Sequence, residues 1–182
     1  MRRHLRTPLS MALLALFLSA ACSSPTAPNE PSNCPSGVVS TGSMSAQING
    51  SPWVATCVYG GALPGNLAMG GNDAKAGITI EVFTGGPTDP QGSVPLAVGS
   101  YQIGAQHSLY GPDSYIIWGN VCNASGCPEW QAQPQSGTGT VTITTLTKTS
   151  AAGTFSATLV PEAISGATGS VVMTNGVFSI TF

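Results

Sequence analysis

Charge is what this 182-residue chain has least of, with five Lys and Arg against seven Asp and Glu. Three of the basic residues, Arg2, Arg3 and Arg6, crowd the extreme N-terminus, and only Lys75 and Lys148 follow. A nucleic-acid surface needs clustered basic side chains, so no nucleic-acid partner is expected. Histidine is almost as scarce, at His4 and His107. A Ser–His–acid triad needs an imidazole base. His107 would be its only source beyond the N-terminus, and its place in Ala105-Gln106-His107-Ser108 beside a turn suits an ordinary loop histidine better. No Gly-x-Ser-x-Gly elbow is present. The spacing Cys-x-x-Cys preferred by structural zinc is missing, as are an Asp-rich calcium loop and a phosphate-cradling glycine motif. No metal or cofactor is therefore expected. The seven acids are not paired in the way glycoside hydrolysis requires, which makes a hydrolase the least supported reading. Asp73, Asp89 and Asp113 each sit in a Gly- or Pro-rich stretch, where an aspartate usually caps nearby backbone N–H groups. Finally, no apolar run reaches the roughly 20 residues of a membrane-spanning helix.

What the chain does have begins at its N-terminus. Arg2, Arg3, His4 and Arg6 precede an apolar run from Leu9 to Leu18, followed by the small residues Ser19, Ala20 and Ala21 and then Cys22. This is the layout of a secretory signal. The twin arginines lack the apolar pair expected after them in the alternative export signal. Leu18-Ser19-Ala20-Ala21-Cys22 resembles the lipobox read by the lipoprotein signal peptidase, with the usual leucine displaced by one position. The resemblance implies cleavage after residue 21 and lipid on Cys22. Each buried methylene is worth about 0.8 kcal/mol, and stable anchoring takes two chains or more, which an acylated Cys22 would provide. Ser23, where a sorting Asp is absent, resembles an outer-membrane address in Gram-negative cells. The expected partner at this end is thus the membrane, and the location is the cell envelope.

Five cysteines are an odd count for an exported chain. Lipid on Cys22 removes one and leaves Cys34, Cys57, Cys122 and Cys127, for which three pairings exist. An oxidising compartment permits disulfides. The turn-rich stretch between Cys122 and Cys127 favours that pair, which leaves Cys34 with Cys57. After cleavage, two lysines against seven acids give an acylated chain of formal charge −5. Residues 23–43 are rich in Ser, Pro, Asn, Thr and Gly, a composition suited to a tether. Residues 44–182 form a single domain-sized block.

That block reads as strands. Ile78, Ile80 and Val82 alternate with Thr79 and Glu81, and Val141 and Ile143 with Thr142 and Thr144. Phe155, Ala157 and Leu159 alternate with Ser156 and Thr158, and Phe178, Ile180 and Phe182 with Ser179 and Thr181. Period two places one set in a core and the other toward solvent. Leu146 is out of phase with Val141 and Ile143, which predicts a bulge or strand end near Thr145. Asn49-Gly50 marks a hairpin, with Pro52 expected to lengthen its turn. Gly85-Gly86-Pro87, Asp89-Pro90, Gly111-Pro112-Asp113 and Asn175-Gly176 mark further breaks. Many short strands with frequent turns predict an all-β antiparallel sandwich, jelly-roll-like or immunoglobulin-like, with a barrel as the alternative.

Aromatic residues carry the remaining functional signal. Trp53 and Trp118 fall in predicted strands and are expected in the core. Trp130 falls in what reads as a loop, Cys127-Pro128-Glu129-Trp130-Gln131, and Tyr110 adjoins a turn. Exposed rings beside amides could stack a sugar, and tryptophan is enriched in protein-contact hot spots. Trp130 and Tyr110 are therefore the candidate ligand-binding residues, weighed against a tryptophan that caps the edge of the core.

Three segments together resemble a family of uncharacterised bacterial surface lipoproteins common in Bacteroidetes. They are Met44-Ser45-Ala46-Gln47-Ile48-Asn49-Gly50 with Trp53 and Ala55; Gly139-Thr140-Val141-Thr142-Ile143 with Gly153-Thr154-Phe155-Ser156; and Asn175-Gly176-Val177-Phe178-Ser179-Ile180. The resemblance spans nearly all of residues 44–182 and implies a β-sandwich lipoprotein with no catalytic residues. The expected function is a non-enzymatic, membrane-anchored envelope domain that binds another envelope component. The alternative is a glycan-binding module.

Overall fold

A computed structural model describes residues 40–84, 94–104, 114–120 and 127–182. Among the described residues eleven strands carry the fold: β1 (Thr41–Ile48), β2 (Ser51–Val54), β3 (Cys57–Leu63), β4 (Asn66–Asn72), β5 (Ala76–Phe83), β6 (Gly99–Ile103), β7 (Tyr115–Asn120), β8 (Glu129–Ala132), β9 (Thr138–Leu146), β10 (Ser150–Pro161) and β11 (Val171–Thr181). There is no helix among the described residues. β1 opens at Thr41, inside the segment read as tether.

Every strand pair is antiparallel. The main order is β2-β1-β11-β10-β8-β7-β5-β4-β3, with β9 on β10 and β6 on β9. β10 is the corner. One of its edges pairs with β11 throughout. The other pairs with β9 from Ala151 to Thr158, then with β8 at Val160 and Pro161. A first wing (β2, β1, β11, β10, β9, β6) thereby passes into a second (β8, β7, β5, β4, β3). The result is one antiparallel sheet curled into a half-barrel, which the barrel alternative fits. The wings approach again at their far side. Gly60 N–H, in β3, donates to Ser40 Oγ, just before β1, at 3.1 Å.

The inward rows of both wings form one apolar core, with no buried polar or charged residue among those described. Ile78, Ile80 and Val82 are buried, as are Val141, Ile143, Phe155, Ala157, Leu159, Phe178 and Ile180. The alternation in the sequence thus locates the inner face. Each of the Val, Leu, Ile and Phe side chains among them contributes about 1.5–3 kcal/mol by leaving water. Trp53 and Trp118 meet across this core edge to face, with centroids 5.7 Å apart and planes at 83°. The Trp53 indole N–H has no hydrogen-bond partner.

The turn chemistry agrees in part with the sequence reading. Ile48 pairs with Ser51, so Asn49 and Gly50 close the first hairpin alone, at φ of 50° and 79°. Two positive φ values are the signature of the tight hairpin turn. Pro52 does not lengthen it. β2 ends the strand order, and proline is tolerated on an edge strand because its missing N–H removes no ladder bond there. Asn49 also ties the turn to β11: its Oδ1 accepts from Val172 N–H at 2.8 Å, and its own N–H donates to Val172 O at 2.8 Å.

The bulge predicted near Thr145 is present. Ala152 pairs with Thr145 and Gly153 with Ile143, so β9 carries an extra residue there. Asn175-Gly176, by contrast, is not a break. It lies inside β11, which has one surplus residue against both β1 and β10. Asn175, at φ 52°, is the residue type that best tolerates the left-handed region after glycine. The surplus residue shifts the phase, so Val171 and Met173 on one side and Phe178 and Ile180 on the other all point inward. The breaks at residues 85–87, 89–90 and 111–113 lie outside the described residues.

Two aromatic–glycine pairs lock β10 to β11. Phe155 pairs with Gly176, and Phe178 with Gly153. A methyl group at Gly176 would stand 2.6 Å from the Phe155 ring, and one at Gly153 would stand 2.7 Å from Phe178 Cζ. Each glycine is the seat of its partner's ring.

Candidate functional site

Strands β3, β4, β5, β7 and β8 present parallel rows on the outer face of the second wing. One row runs Cys57, Asn72, Gly77, Gly119, Glu129, and the next runs Tyr59, Gly70, Thr79, Ile117, Gln131. A third contains Gly61, Ala68, Glu81 and Tyr115. The alternation that buries Ile78 and Ile80 forces Gly77, Thr79 and Glu81 outward.

Small side chains in the first row leave a shallow groove of about 390 Å³, whose lining includes Asn72, Gly77, Thr79, Ile117, Gly119, Asn120 and Glu129. The Asn72 side chain leans over Gly77, where a methyl group would stand only 2.0 Å from its Oδ1. Beside the groove the Tyr59 ring lies against Gly70, and its hydroxyl shares a 3.1 Å hydrogen bond with Thr79 Oγ1. The β4–β5 turn at its end is an aspartate turn. Asp73 Oδ1 accepts from Lys75 N–H at 2.6 Å and from Ala76 N–H at 2.7 Å, which is the role its sequence context predicted.

Two acids set the electrostatics of this face. Burial pushes the Tyr115 phenol up to about 12, helped by its hydrogen bond to Glu81 and by the charges of Glu81, Tyr59 and Glu129. Tyr115 therefore stays protonated and donates to Glu81, which also accepts from Asn66 Nδ2. Burial likewise raises the Glu129 carboxyl above its ordinary value, with repulsion from Glu162 adding to it.

Trp130 is placed differently from the sequence expectation. It belongs to β8 rather than to a loop. Its partner in register is Trp118, so it shares the inward face. It is half-buried against the core, and its indole N–H donates to Gly169 O at 3.0 Å and Thr168 O at 3.3 Å. Trp130 closes one end of the core under the β10–β11 connection. Tyr110, His107, Cys22, Cys34 and Cys122 lie outside the described residues. Cys57 and Cys127 are both in disulfides, at opposite margins of the second wing. Among the described residues there is no group of three or more His, Cys, Asp or Glu able to hold a metal ion. No helix among them is long and apolar enough to cross a membrane.

Sequence reasoning missed the groove. Gly77 was legible as an outward position from the phase of Ile78 and Ile80. Gly119 was not, because Tyr115-Ile116-Ile117-Trp118 does not alternate. No protein-family model matches the chain, and neither a curated protein nor a solved structure shows a significant match to it.

Proposed function

We propose that this chain is a lipoprotein of the bacterial cell envelope, cut before Cys22 and held at the outer membrane by lipid on that cysteine. In this reading its β domain binds an envelope component and does not catalyse. The signal-peptide layout ending at Cys22 supports the anchor, and the resemblance to the uncharacterised surface lipoproteins fits the same picture. The observation that carries binding is the groove over Gly77 and Gly119 on the outer face of the second wing. The core is filled with apolar side chains, whereas this outward row gives up side-chain volume at two paired positions, Gly77 and Gly119. Glycine weakens a strand and often marks the close approach of a ligand or another backbone.

A glycan is the second reading for the bound component. The amide at Asn120 and the carboxylate at Glu129 favour it at the groove. Trp130, whose indole N–H is already engaged, supports it less.

The anchor is tested by detergent phase partitioning of the expressed protein and of Cys22→Ser. The wild-type chain should enter the detergent phase and label with fatty acid, and Cys22→Ser should do neither. Equal partitioning of the two into water would reject the anchor.

A further inference from the structure

We propose that the groove takes one ring of a neutral saccharide, seated over Gly119 with its hydroxyls on Asn120 and Glu129. This rests on reading the groove as the binding site. The key position is Gly119. Its φ lies outside the left-handed region that would call for glycine. A methyl group there would meet nothing within 4 Å among the described residues. Neither backbone conformation nor packing asks for glycine at that point, although a glycine paired on both sides within a sheet costs stability. What the residue provides is open space.

The walls of that space select the ligand. Ile117 offers apolar surface suited to the carbon face of a sugar ring. Asn120 can both donate and accept, as vicinal hydroxyls require. Glu129 accepts from hydroxyl donors through two oxygens. No Lys or Arg is among the groove residues, which disfavours phosphate, sulfate or carboxylate ligands. A bare organic cation would call for a cage of aromatic faces or several free carboxylates. Here Tyr115 is bonded to Glu81, Tyr59 lies against Gly70, and Asp73 is engaged by its own turn. Glu129 is left as the single carboxylate facing the ring.

The test uses the full chain purified in detergent. It is screened on an array of neutral oligosaccharides spanning hexoses, pentoses and N-acetylhexosamines, and hits are titrated by calorimetry. Gly119→Val fills the space with a residue that favours strands, and Gly119→Ala serves if the valine variant does not fold. Thr142→Val, on the other wing, is the control. At least one neutral oligosaccharide should bind, weakened about tenfold or more by Gly119→Val, with its melting temperature held and Thr142→Val binding as wild type. If no neutral glycan binds, the proposal is wrong. If only spermidine binds and Gly119→Val abolishes it, the groove stands as a site and the ligand class falls. A glycan bound equally by wild type and Gly119→Val would leave the class standing and move the site away from the groove.

Discussion

Strands β1, β2, β6, β9, β10 and β11 of the first wing contain no charged residue, whereas the two carboxylates held in strands among the described residues, Glu81 and Glu129, belong to the second wing. The outer rows of the first wing are hydroxyl-bearing. Thr140 pairs with Ser156, Thr142 with Thr154, and Ser179 with Ser43 and Ala152. These side chains bond across strands at the surface, as Ser100 and Thr142 do at 2.8 Å. The outer rows of the second wing replace such residues with glycine, tyrosine and acid, and much of that face is half-buried. The inner faces follow one rule in both wings, since both enclose the same core. The outer faces are free to differ, and only the second gives up strand propensity for shape.

The contrast between glycines is the sharpest way to break this comparison. On the first wing, Gly153→Ala should cost about 3 kcal/mol, because the added methyl would stand 2.0 Å from Thr142 O and 2.7 Å from Phe178 Cζ. On the second, Gly119→Ala should cost nothing or stabilise slightly. Urea denaturation of both variants decides it, and equal losses would mean that Gly119 is also a packing glycine.

A smaller effect separates the hydroxyls. Tyr59→Phe removes the half-buried bond to Thr79 and should cost about 1 kcal/mol. Thr142→Val removes an exposed bond and should stay within about 0.5 kcal/mol of wild type. A reversed order in thermal melts would show the Thr rows to be the more tightly coupled surface.

The smallest effect is electrostatic. Glu129 has its carboxyl raised by burial and by Glu162, so the folded state holds that proton more tightly than the unfolded chain. Stability is then greater in acid and falls as pH climbs from the ordinary glutamate value, about 4.3, through the raised one. Glu129→Gln should flatten this fall and add less than about 1 kcal/mol at neutral pH, because the group is partly solvated. Melting temperatures across that range check the slope. An unchanged slope would place the titration elsewhere.

Much of the fold was readable locally. Alternation at residues 78–82, 141–143, 155–159 and 178–180 marks inward rows, because strand geometry alone puts every second side chain on one face. The phase slip at Leu146 announces the bulge near Thr145, and Asn49-Gly50 announces the hairpin. The same logic failed at Asn175-Gly176. A left-handed residue followed by glycine serves a hairpin or a bulge equally well, and only the two neighbouring strands choose between them. Pro52 misled in a similar way, since its tolerance depends on β2 standing at an edge. Trp130 sits amid loop-like residues, yet pairing with Trp118 draws it into β8 and turns it inward. The glycine-rich strands β3 and β4 carry too few apolar residues to alternate visibly.

The sequence by itself determined that this chain is all-β and which side chains of β5, β9, β10 and the end of β11 face its core, because period two and turn residues act over a few neighbours. It also supplied the signal layout and the Cys22 lipobox from which the anchor is proposed. Only the tertiary structure decided that the sheet curls at β10 into a half-barrel and that Asn72, Gly77, Gly119 and Glu129 share one row. Those four residues stand on four different strands. Their register is set by pairings between distant segments, and no local pattern encodes it.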